Sequence, residues 1–96
     1  VIYEWDAAKA IANLKKHDIS FEEAALVFQD PFAVTFEDPD HSAVEEREIT
    51  IGRSTKQRTL FVAHCLRDNR VRIISARKAT RRERKQYEQG FGKGVR

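Results

Sequence analysis

The chain changes its hydrophobic period along its length. Ile2-Tyr3-Glu4-Trp5 alternates apolar and polar residues over one short stretch, predicting an edge strand or an extended lead-in. Asp6 then stands as a helix cap before Ala7, Ala10, Ile11 and Leu14, the i, i+3, i+4, i+7 series of an amphipathic helix. Lys15, Lys16 and His17 fill its last turn, where the helix dipole favours cations. After a break at Asp18-Ile19, Ser20-Phe21-Glu22-Glu23 forms a capping box. Phe21, Ala24, Ala25 and Phe28 supply the buried stripe of the second helix, and Pro31 ends it.

From Ala33 the period falls to two. Strands are predicted over 33–36, 47–53, 59–66 and 70–77, joined by an acidic turn at 37–41 and polar links at 54–57 and 67–69. Such short links make neighbouring strands antiparallel. Leu60, Val62, His64 and Leu66 then share one face, with Phe61, Ala63 and Cys65 opposite. Arg47, Ile49, Ile51 and Arg53 share a face opposite Glu46, Glu48 and Thr50. Val71, Ile73, Ser75 and Arg77 are expected together.

The last of these strands runs into a second capping box, Thr80-Arg81-Arg82-Glu83, opening a helix with Arg84, Lys85 and the single bulky aromatic Tyr87. Gly90 is the expected stop, and 90–96 a loose tail. Helices and strands segregated in this way predict one α+β domain over 1–96: two N-terminal helices, a small antiparallel meander and a short basic C-terminal helix.

Charge sharpens the picture. Residues 1–52 hold four Lys/Arg against twelve Asp/Glu, a net of −8; residues 53–96 hold fourteen against three, +11; together they give the formal +3. Solvation alone needs no segregation by sign, so an anionic ligand on one side and a cationic partner on the other fit better. One cysteine, Cys65, can form neither an internal disulfide nor a multi-cysteine zinc site, and its apolar strand suggests a buried small hydrophobe. There is no apolar run near membrane length and no secretory pattern, so a soluble cytoplasmic protein is expected.

Gripping or cutting a phosphodiester requires fixed positive charge for the phosphate oxygens and, for cleavage, a proton acceptor and donor. Arginine suits the first role because its planar fork pairs with phosphate bidentately. Arg53, Arg72, Arg77, Arg81 and Arg47 are the strand-end and helix-start candidates, and Arg82, Arg84 and Lys85 extend the basic surface. For proton transfer the candidates are His64, His17, Glu46, Glu83 and Tyr87. Each has a structural alternative. His64 fits a hydrogen-bonded core histidine, His17 a helix C-terminal cation, Glu83 the capping box, Glu46 a cross-strand ion pair, and Tyr87 an anchor for the last helix. Asp38, Asp40 and His41 match no metal loop, and no phosphate loop, nucleophile elbow or zinc-finger spacing is present.

Four segments together resemble the BrnT family, toxins of bacterial type II toxin–antitoxin systems. They are EWD at 4–6, KxxxNLKKHDISFEEA at 9–24, EER at 45–47 and IISARKATRRERKQYE at 73–88. The resemblance implies a RelE-like ribonuclease fold and RNA cleavage that stops translation without a metal or other cofactor. It also implies neutralisation by a BrnA-type antitoxin whose DNA-binding domain brings the complex to operator DNA. The matching positions are Arg47, Arg77, Arg81, Glu83, Arg84 and Tyr87, with Lys16 and His17 of KKH as further RNA contacts. Arg77 with Arg47 or Arg53 would hold the scissile phosphate, while His64 or Glu46 would deprotonate the ribose 2′-OH. The alternatives are a nucleic-acid-binding module that breaks no bond and a protein-interaction module.

Overall fold

The chain runs β1 (Ile2–Glu4), α1 (Ala7–His17), α2 (Phe21–Leu26), a 3-10 turn (Val27–Gln29), β2 (Val34–Glu37), β3 (Arg47–Arg53), β4 (Thr59–Arg67), β5 (Arg70–Lys78) and α3 (Arg81–Gly94). This is the arrangement in a computed structural model, which describes residues 1–38, 40 and 46–94. Pro39 and His41 of the acidic turn, Glu45 of the EER segment, and Val95 and Arg96 lie outside the described residues.

The five strands form one sheet in the order β1-β5-β4-β3-β2. Strands β2 to β5 are the expected antiparallel meander, tightened at its last hairpin by Asp68 and Asn69, both in the left-handed region at φ 50° and 62°. The sheet as a whole is mixed, because β1 pairs parallel with β5 through Ile2–Arg70, Tyr3–Val71 and Glu4–Arg72. The chain leaves β1, crosses one face as α1 and α2, and re-enters at the far edge. The meander then returns to β1 in the same direction.

Each face of the sheet has its own core. Ile19, Phe21, Ala24 and Val27 bury Leu60, Val62, Ile73 and Ala76 on one side. On the other, Ile49, Ile51, Ala63 and Ala79 pack with Val34, Phe36, Phe61, Ile74 and Tyr87 beneath α3. Gly52 lets the 3-10 turn sit close, since a Cβ there would lie 3.0 Å from both Val27 O and Ala33 Cβ. Cys65 is buried, as expected.

Two details of β5 depart from simple alternation. Ala63 pairs with Ser75 but His64 pairs with Ile73, so Ile74 is the extra residue of a β-bulge. Val71, Ile73 and Ala76 therefore face α1 and α2, whereas Ser75 and Arg77 turn to the opposite face instead of joining Val71 and Ile73. The bulge is held from outside the sheet. Beyond Arg72 the edge of β5 has no strand partner, and the buried Asn13 of α1 takes that place. Its Oδ1 accepts from Ala76 N–H at 3.1 Å, and its Nδ2 donates to Ala76 O at 2.8 Å and Ile19 O at 3.0 Å.

This clamp rotates α1 away from the expected orientation. Of the predicted stripe only Ala10 is partly buried; Ala7, Ile11 and Leu14 face solvent. Gly90 likewise does not stop α3, which continues to Gly94. A Cβ at Gly90 would meet Val34 Cγ1 at 2.5 Å, so glycine is there for close approach to β2.

Two polar groups complete the first core. Glu23 accepts from Ser54 Oγ at 2.7 Å and from Arg58 Nε at 2.9 Å, and also takes Arg58 Nη2. The Arg58 hydrogen bond, opposed by burial and aided by Ser54, holds its carboxyl below the ordinary range. His64 is buried edge-on against the Phe28 ring, 4.8 Å between centroids, and its Nε2 lies 2.7 Å from Thr50 Oγ1, which in turn lies 2.7 Å from Thr35 Oγ1. Burial pushes the imidazole down to about 4.

Two outcomes follow from these contacts. Asn13→Ala strands both backbone groups of Ala76 and should lower the unfolding free energy by about 2–4 kcal/mol in urea titrations. His64 binds a proton in the unfolded chain near 6.5 but in the folded chain only near 4. Its neutral burial is therefore fully tolerated above pH 6.5, and stability falls as pH drops from 6.5 towards 4, by roughly 3 kcal/mol. The His64 Hε1 resonance should accordingly stay unprotonated at pH 5.5, and a ring that titrates near 6.5 in the folded protein contradicts this.

Candidate active site

At the end of the sheet where β5 meets α3, the bulge delivers Arg77 onto the face shared with Arg53. Arg77 pairs with Phe61, and Arg53 lies one step further along with Thr59. The Arg77 guanidinium sits 4.0 Å over the Phe61 ring. Its Nη1 and Nη2 donate to the two oxygens of Glu83 at 2.8 and 2.9 Å, and Nη1 also reaches Lys78 O at 3.3 Å. With the end edge of the fork thus occupied, the Nε–Nη2 edge keeps donors for a second anion.

Glu83 serves two partners at once. Its Oε1 also accepts from Thr80 N–H at 2.8 Å, while Thr80 Oγ1 accepts from Glu83 N–H at 3.2 Å, the expected capping box. Against the penalty of burial, the Arg77 and Thr80 hydrogen bonds hold the Glu83 carboxyl below its ordinary value, so it is a carboxylate at neutral pH. The first turn of α3 then projects Arg81 and Arg82 into solvent, and Arg84 donates to Ala79 O at 3.3 Å. Arg82, Lys85, Gln86 and Gln89 line an open hollow of about 360 Å³.

The helix is tethered by the anchor expected of Tyr87. Its hydroxyl donates to Asp30 Oδ2 at 2.7 Å, and burial, reinforced by that bond, pushes the phenol up to about 12. Asp30 also accepts from Arg53 N–H at 2.8 Å and Phe32 N–H at 2.9 Å. Burial opposes its charge, but these bonds outweigh it and keep the carboxyl below its usual range. Asp30 thereby ties the end of β3 to α3. Nothing in the sequence singles it out beyond its place before Pro31.

The remaining candidates are distributed elsewhere. Lys16 and His17 border a shallow hollow of about 230 Å³ with Lys9, Ile74 and Ser75, beside β5 and upstream of Arg77. Arg47 and Arg72 flank Cys65 toward the other end of the sheet. Arg72 Nη1 is 3.3 Å from Glu4 Oε2. Arg47 lines a hollow of about 130 Å³ with Glu37, Glu46 and Glu48, so it sits among carboxylates. The register puts Arg47 four residues along the sheet and two strands across from Arg77, about 16 Å between Cα atoms. Glu46 is exposed at that same far end. His64 belongs to the opposite face, where burial and the Thr50 hydrogen bond make it a core histidine and remove it from reach of a substrate at Arg77. Among the described residues no three His, Cys, Asp or Glu side chains are grouped as a metal site needs, and no helix is long and apolar enough to cross a membrane.

Comparison with known proteins supplies the identity. No curated protein matches the chain. A solved structure, the Brucella abortus ribonuclease toxin BrnT, is similar in fold, with a TM-score of 0.65 and 20% identity over 84% of this chain and 100% of that one. The family described as "Ribonuclease toxin, BrnT, of type II toxin-antitoxin system" matches residues 5–83, a span that holds Asn13, the bulge, Arg77 and the capping box. The chain therefore belongs to the BrnT family of ribonuclease toxins.

Proposed function

We propose that this endoribonuclease toxin cleaves RNA around Arg77, by attack of a ribose 2′-OH on the adjacent phosphorus, its proton passing to water, with departure of the 5′-oxygen, which takes a proton from water. The products would be a 2′,3′-cyclic phosphate or its hydrolysed 3′-phosphate. The observation that carries this reading is the Arg77 fork, stacked on Phe61 and fixed by Glu83 along one edge while the other edge keeps free donors. A guanidinium already oriented needs no reorganisation when negative charge develops on the non-bridging oxygens. Arg53 and Arg81 approach from the same end, and Arg82, Arg84, Lys85 and the Lys16–His17 corner would carry the flanking phosphates.

The chemistry proposed uses no metal. In the cell, RNA loss would halt translation in the cytoplasm. A BrnA-type antitoxin with a DNA-binding domain would neutralise the toxin and carry the complex to its operator.

The deciding experiment is a time course on total RNA with EDTA present. The parent should cut, Arg77→Ala should be slower by about 100-fold or more with unchanged circular dichroism, and Arg77→Lys, which keeps charge but loses the fork, should fall between them. A folded parent that leaves RNA intact, both free and on translating ribosomes, would favour binding without cleavage. For the flanking surface, Arg82→Gln/Lys85→Gln should weaken binding to single-stranded RNA. It should also reduce the slope of log K against log salt by about 1.4.

A further inference from the structure

Helix α1 presents the wrong face to solvent for a protein that acts alone. Eight of its eleven residues are exposed, and five of these are Ala7, Ala8, Ile11, Ala12 and Leu14. Ile11 is 59% and Leu14 49% exposed, although the Asn13 clamp buries the polar residue between them. The other three exposed residues are Lys9, Lys15 and Lys16, and no Asp or Glu occurs between Ala7 and His17. Beyond Leu14 the surface dips into a hollow lined by Asp18, Lys56 and the Glu23–Arg58 pair.

We propose that this face of α1 docks the protein antitoxin, through an amphipathic helix that sets apolar anchors against Ile11 and Leu14 and carboxylates against Lys15 and Lys56. The assignment rests on the family reading, which supplies a protein antitoxin as partner. The side chains specify the rest. Ala8 and Ala12 are one turn apart, so a second helix can approach to about 8–10 Å while Ile11 and Leu14 act as knobs. The lysines select an acidic occupant. A second copy of this chain would oppose lysine to lysine. RNA would satisfy the lysines but gain nothing from two exposed aliphatic side chains, which offer no stacking surface. Ile11, Leu14 and Lys15 lie outside the hollow in which Lys16 and His17 meet Ser75, so docking there leaves the basic site to be closed by another part of the same partner.

The test uses the full chain and the protein encoded beside it. Ile11→Asp/Leu14→Asp should weaken the complex by on the order of 100-fold, and Lys15→Glu by about 10-fold. Both should keep the parent's RNA cleavage within about twofold, since neither changes a group at Arg77. The milder Ile11→Ser/Leu14→Ser variant, checked by thermal unfolding, guards against a folding defect. Unchanged affinity in the folded variants would overturn the proposal. So would loss of RNA cleavage with the antitoxin still bound, or loss of a homodimer in sedimentation with antitoxin affinity intact. Failure of the parent to bind its neighbour would remove the partner and the proposal together. Failure of the parent to cut RNA would count against the Arg77 reading and leave the docking measurement standing.

Discussion

The side chain of Asn13 does for the sheet what a sixth strand would do. Where β1 ends at Glu4, the outer edge of β5 is left with donors and acceptors that water cannot reach, and one amide side chain answers both groups of Ala76. Ala76 follows directly after the bulge, so the contact that seals the edge also fixes the point at which the strand changes phase. Without that change Arg77 would point into the core beneath α1 and α2. The placement of Arg77 is thus decided by a residue on a different element and the opposite side of β5. Asn13 sits inside the KxxxNLKKH segment, which gives that segment a structural reason distinct from the cations around it.

On the other face, α3 is held by few contacts of high specificity. Tyr87 reaches Asp30, Gly90 admits Val34, and Thr80 with Glu83 closes the first turn. This explains how so basic a helix can remain in place. Its exposed arginines are free of packing duties, and their mutual repulsion is borne by an anchor at each end. The two ends of this face of the sheet differ in their charge. Arg47 lies among Glu37, Glu46 and Glu48, whereas Arg53, Arg77 and Arg81 gather where β5 turns into α3.

Much of this was legible from local signals. The caps at Asp6, Ser20 and Thr80 lie where the side-chain hydrogen bonds form, because a cap and its helix are neighbours in sequence. The faces of β3 and β4 follow alternation. What was hidden is non-local. Pairing of β1 with β5 spans most of the chain and leaves no periodic trace. An extra residue at Ile74 reads as ordinary alternation, so it reversed the expected face of Ser75 and Arg77. The apolar series on α1 pointed inward by rule, but an asparagine took the inner position because the sheet edge needed an amide more than another aliphatic group. His64 was ambiguous in sequence, and its neighbours Phe28 and Thr50 resolve it as part of the core.

Glu83 joins two traits that most proteins keep apart. One carboxylate decides where the last helix begins and how Arg77 is oriented. Any change to that acid therefore alters the Arg77 guanidinium and the start of the helix together. The exposed Arg81 and Arg82 beyond it carry no such double duty and can be replaced singly without touching the cap. In this chain the orientation of Arg77 and the start of its last helix are therefore one unit.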